Sequence, residues 1–105
     1  MGGWYQMKSS ELYEDWGLPY IIIGSGVLIA REQALRVIEL LYEKGFYFLG
    51  YDAFTVFPDG TRQPHMEFNA SFSRERQITS MEAIETINED PSEITHYEFY
   101  FRPQA

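Results

Sequence analysis

The sequence predicts an α+β fold: a mainly antiparallel β-sheet with a central hairpin and two or three packed helices. Three observations predict it. Apolar residues recur at helical spacing from Arg31 to Lys44, two runs near the C-terminal half alternate with a period of two, and Pro58-Asp59-Gly60 separates two extended stretches. The chain has 105 residues, 45% of them hydrophobic, and no Pro/Ser-rich linker or repeat divides it. It is therefore read as a single domain over 1–105 with an ordered unit of about 10–103.

The elements follow in order. Ser9 or Ser10 can cap a short helix reaching Trp16, since Leu12, Tyr13 and Trp16 share a face and Glu11 suits the first turn; Gly17 and Pro19 end it. Tyr20 to Ile23 and Val27 to Ile29 are aliphatic, short and bounded by glycine, which predicts buried strands. In the helix Arg31 to Lys44, Ala34, Val37, Ile38 and Leu41 form the apolar stripe, Leu35 and Tyr42 widen it, and Gly45 is placed to end it. Phe46 to Phe57 reads as strand, and the Pro-Asp-Gly turn leads into a second extended run. There Met66, Phe68, Ala70 and Phe72 alternate with His65, Glu67, Asn69 and Ser71, predicting one wet face. Thr79 or Ser80 caps a helix Met81 to Asn88, with Met81, Ile84 and Ile87 inward and Glu82, Glu85 and Glu89 outward. Thr95 to Arg102 closes the chain as a strand with Tyr97, Phe99 and Phe101 on one side.

Composition narrows function. Sixteen acids against eight bases give a formal charge of −8, which disfavours capture of nucleic-acid phosphates and favours a basic partner. No cysteine means no disulfide framework and no thiolate chemistry. The most apolar run, Tyr20 to Ala30, is too short for a bilayer, so no membrane association and a soluble, cytoplasmic protein are expected. No removable secretion signal is expected at the N-terminus, where Met7 offers a second start, and Gln6 occupies the Ser/Thr position that myristoylation of Gly2 requires.

Gly24-Ser25-Gly26 superficially resembles a dinucleotide-binding turn. Ile29 stands where a third small residue belongs and a hairpin follows rather than a βαβ unit, so a simple turn or bulge is expected and no cofactor. No nucleophile elbow, Walker loop or His-Glu-x-x-His helix is present. One constellation offers chemistry: His65, Glu67, His96 and Glu98 form two His-x-Glu pairs at strand spacing. If they converged, they could hold a divalent ion or serve a small metal-assisted hydrolase or isomerase. Against it stands the ordinary polar face of a half-exposed sheet. The charge map says more. From Gln77 to Phe101 lie Glu82, Glu85, Glu89, Asp90, Glu93 and Glu98 and no Lys or Arg, so this segment holds −6 of the total −8. A one-sided acidic field can steer a cationic protein, or it can simply keep a helix face solvated. Eight Tyr and two Trp suggest some aromatic exposure, with Tyr47, Tyr51 and Tyr100 as candidates. The predicted partner-binding set is Glu82, Glu85, Glu89, Asp90, Glu93, Glu98 and Tyr100, with no catalytic or metal residue.

The stretch from Gly26 to Asp52, with Ala34-Leu35-Arg36-Val37-Ile38-Glu39-Leu40-Leu41, then Gly45 and Leu49-Gly50-Tyr51-Asp52, resembles bacterial immunity proteins of polymorphic toxin systems, most nearly the Immunity protein 40 family. The resemblance covers about a quarter of the chain. It implies a small non-enzymatic cytoplasmic protein that binds and neutralises a cognate toxin protein, and the acidic segment suits a basic nuclease domain as that toxin. It carries over no site residues. A homodimer built on an exposed sheet edge is the alternative assembly.

Overall fold

The structure, a computed structural model, describes residues 8–104; Gly2, Gln6 and Met7 lie outside them. The elements are α1 (Ser9–Asp15), β1 (Ile21–Ile23), β2 (Gly26–Ala30), α2 (Arg31–Glu43), β3 (Phe46–Val56), β4 (Arg62–Pro64), a 3-10 turn (Met66–Phe68), β5 (Ala70–Ser71), α3 (Ser80–Asn88) and β6 (His96–Pro103). The fold is α+β, as the sequence predicts. All strand pairs are antiparallel, in the order β1-β2-β6-β3-β4, with β5 alongside β3 beyond β4. Because β2 and β3 both run against β6, they are parallel to each other and α2 connects them across it. The late strand β6 thus completes the centre of the sheet, pairing with β3 from Phe46↔Pro103 to Phe54↔His96.

Packing follows the apolar stripes. Ala34, Val37, Ile38 and Leu41 are buried as expected, Leu40 joins them, and Leu35 is exposed. They meet Phe46, Phe48, Tyr51, Ala53, Tyr97 and Phe99 from the sheet and Ala83 and Ile87 from α3. Burying each such Leu, Ile or Phe contributes about 1.5–3 kcal/mol relative to leaving it in water. Around Trp16 and Phe46, α1 adds an aromatic cluster in which the Phe46 and Phe101 rings meet edge-on at 5.3 Å.

One irregularity sets the pattern of β3. Register slips between Phe48 and Gly50 against β6, leaving Leu49 as an extra residue. Even-numbered Phe46 and Phe48 therefore share the core face with odd-numbered Tyr51 and Ala53. Gly50 has φ of 140°, and a Cβ there would collide with the Ala70 carbonyl oxygen, so only glycine fits. Tyr51, expected at the surface, is 1% exposed for this reason.

Other expectations are also corrected. The hairpin forms around Pro58-Asp59-Gly60, but its second arm stops at Pro64 and no strand runs through 65–69. The His65 amide still donates to the Ala53 carbonyl at 2.9 Å, but the Ala53 amide is taken by Asn69 Oδ1 at 2.8 Å instead of a strand carbonyl, and the ladder ends there. Met66 and Glu67 instead sit on the 3-10 turn, and Met66 is 77% exposed. β1 is an edge strand rather than a buried one, with Ile21 and Ile22 exposed. The Gly24-Ser25 link is a two-residue hairpin turn with φ of 61° at Gly24 only, the II′ pattern. The cap of α1 falls on Lys8, whose amide donates to Glu11 Oε1 at 2.8 Å. Met81 is exposed at the start of α3.

Candidate functional site

The acidic residues are positioned by two devices. At its N-terminus, α3 is capped by Thr79, whose hydroxyl accepts from the Glu82 amide at 3.1 Å while Glu82 Oε1 accepts from the Thr79 amide at 2.8 Å. At its C-terminus, the Arg31 guanidinium donates to the carbonyls of Ile87 (2.9 Å), Asp90 (2.7 Å), Pro91 (2.6 Å) and Ile94 (3.2 Å). A cation there adds a donor to carbonyls at the end of the helix and in the turn after it, and opposes the negative end of its dipole. With Ala83 and Ile87 buried against the core, Glu82, Glu85 and Glu89 point outward and Glu93 follows, exposed, on the next loop.

Among the described residues no Lys or Arg lies within ion-pairing distance of these four carboxylates; the salt bridge present is Arg36 to Glu39 at 3.9 Å. Asp90 is different. It is half-buried and accepts the Tyr97 hydroxyl proton at 2.8 Å, and burial raises its pKa despite that bond. Its carboxylate is used internally and leaves the outward set.

Glu98 and Tyr100 lie elsewhere. Their neighbours Tyr97 and Phe99 fill the core, so alternation places Glu98 and Tyr100 on the opposite face of the sheet. There Glu98 pairs across strands with Asp52, and the Tyr100 hydroxyl donates to Asp52 Oδ2 at 2.7 Å. Burial first, then this bond, raises the Tyr100 pKa. Arg62 extends over the same face, its guanidinium carbon 5.1 Å from the centre of the Phe54 ring. A Cβ on Gly26 would lie 2.5 Å from Arg62 Nη1 and 3.4 Å from Glu98 Oε1, so the bare glycine makes room for both. The predicted partner set is thus divided between two sides of the molecule.

The His/Glu constellation does not assemble. His65 is buried and its Nε2 lies 2.7 Å from Thr55 Oγ1. That hydroxyl gives its proton to the Glu93 carbonyl at 2.6 Å, so Nε2 must be the donor to Thr55. Thr55 points away from the face that Phe54 shares with its cross-strand partner His96, separating the two imidazoles by the sheet. Burial lowers the His96 pKa. Glu67 is exposed on the 3-10 turn, and no group of three or more His, Asp or Glu among the described residues is placed to hold a metal ion.

Three positioning residues escape sequence reasoning. A signal for Arg31 exists: a cation at the start of a helix is opposed by the dipole, which implies that its partner lies elsewhere. Asp52 has none beyond being an acid amid apolar strand residues. Gln77 holds β3 by accepting from the Phe48 amide at 2.8 Å and donating to the Phe48 carbonyl at 3.1 Å, contacts that no local pattern announces.

No helix among the described residues is long and apolar enough to cross a membrane. Compared with protein-family models, curated proteins and solved structures, the chain matches none.

Proposed function

We propose that this chain is a non-enzymatic, cytoplasmic immunity protein that binds and neutralises a cognate bacterial toxin domain through the acidic face of α3. The observation that carries the reading is the outward row Glu82, Glu85, Glu89 and Glu93, which no cation among the described residues neutralises. Carboxylates with no cationic partner among the described residues, on a helix fixed at both ends and the loop that follows it, form a negative field, which accelerates encounter with a positive surface and fixes its orientation. Met81, 70% exposed beside Glu82 and Glu85, supplies the apolar contact that a purely solvated face would not need. The sequence resemblance to immunity proteins supports the same reading, and a nuclease whose phosphate-binding surface is basic is the toxin class this charge suits.

Co-expression with a candidate cognate toxin domain tests it. The expected result is a complex that survives purification and restores growth of cells making the toxin. Toxicity that persists, with no complex recovered, would reject the reading.

A further inference from the structure

The two edges of the sheet are built differently. Along one, β4 ends in Pro64, a residue that discourages pairing with another strand. Along the other, β1 is three consecutive isoleucines, with Ile21 39% and Ile22 59% exposed. The whole stretch from Trp16 to Ala30 contains no charged residue. In a chain of net charge −8, most surfaces of two copies repel each other; this edge strand itself carries no carboxylate, and Glu14, which reaches its margin from α1, accepts from the Tyr20 hydroxyl.

We propose that β1 pairs antiparallel with β1 of a second copy about a two-fold axis through Ile22, joining two sheets into one. The register follows from the hairpin. Ile23 and Gly26 flank a two-residue turn and Ile21 pairs with Leu28, so Ile21 and Ile23 direct their amides and carbonyls toward β2. Ile22 directs its own outward. A two-fold axis at Ile22 lets both copies exchange these two hydrogen bonds and sets Ile21 against the second copy's Ile23, on one face. On that face Ile21 also borders a shallow hollow shared with Pro19, Tyr20, Leu28, Ala30 and His96, which gives the opposing isoleucine an apolar seat. An isologous contact of this kind closes at two copies. The edge is short relative to standard interfaces, so the dimer is concentration-dependent rather than obligate. No residue of α3 belongs to it, so it stands or falls separately from toxin binding.

Analytical ultracentrifugation of the full chain across a wide concentration range tests the proposal. The expected result is a rise from monomer to dimer mass that salt strengthens, since screening weakens the repulsion between two net-negative copies. Ile22→Lys, which opposes two like charges on the axis, should raise the dissociation constant about tenfold or more. Hydrogen exchange on the unmodified chain is independent of that variant: the Ile22 amide should gain protection as dimer accumulates. A chain that remains monomeric throughout, a dimer that Ile22→Lys leaves intact, or a dimer in which the Ile22 amide exchanges as before would each overturn the proposal.

Discussion

Arg31 begins α2, where the helix dipole repels a cation, and is held there by four carbonyls at the end of α3. Arg31→Met removes the donor that ties those carbonyls together and is expected to cost about 3 kcal/mol or more in urea unfolding, with Arg31→Lys restoring only part because an ammonium cannot span the same fork. Two groups give opposite pH dependences. His96 has a folded pKa below its ordinary value of 6.5 because burial penalises its charged form. Its contribution is complete above that value and is lost as pH falls from there through the folded value. Asp90 has a folded pKa raised above its ordinary 3.8, again chiefly by burial, so its contribution is greatest in acid and is lost as pH rises through the folded value. Melting temperatures should therefore fall less between neutral and mildly acidic pH in His96→Gln than in the unmodified protein, and Asp90→Asn should remove the opposing trend. Neither residue's environment was legible beforehand. Asp90 reads as one more surface acid in a charged run, and its burial depends on Tyr97, seven positions away in sequence and on another element.

Elements with strong local chemistry were legible. The Ala34, Val37, Ile38 and Leu41 stripe of α2, the Thr79 cap of α3, the Pro58-Asp59-Gly60 turn and the alternation of β6 each declare themselves within a few residues, and all four form, although Leu35 falls outside the stripe. Thr79→Ala should destabilise the protein by about 1 kcal/mol by stranding the Glu82 amide, and helicity followed by circular dichroism during melting will report it. The failures arise where a nonlocal contact resets local geometry. In β3 the bulge at Leu49 reverses the parity of the strand, which is why Tyr51 belongs to the core although Tyr47 does not. Gly50→Ala should be the costliest single-carbon change in the strand, about 2–4 kcal/mol, because the added methyl meets backbone rather than a flexible side chain. After Pro64 the alternation of Met66, Phe68, Ala70 and Phe72 is genuine in sequence, yet the ladder passes to side chains: Asn69 Oδ1 accepts from the Ala53 amide at 2.8 Å. An Asn69→Leu variant should lose that bond and loosen the junction of β4 and β5, seen as faster amide exchange at Ala53.

At the scale of the molecule, sheet order was not legible, because β6 enters between β2 and β3 only after α3 is complete. That insertion decides where charge goes. It places Glu98 on the sheet face opposite the helices and leaves Glu82, Glu85, Glu89 and Glu93 together on the other side, a division the linear charge map cannot express. The proposed binding face is therefore α3 and its following loop rather than the whole acidic segment. The most direct measurement is the association rate between this protein and the proposed cognate toxin domain, followed by stopped flow at several salt concentrations for the unmodified chain and for Glu85→Lys with Glu89→Lys. An electrostatically steered complex forms more slowly after the double charge reversal, about tenfold or more at low salt, and the two rates converge as salt is raised. Equal rates at low salt, or no complex at all, would contradict the account.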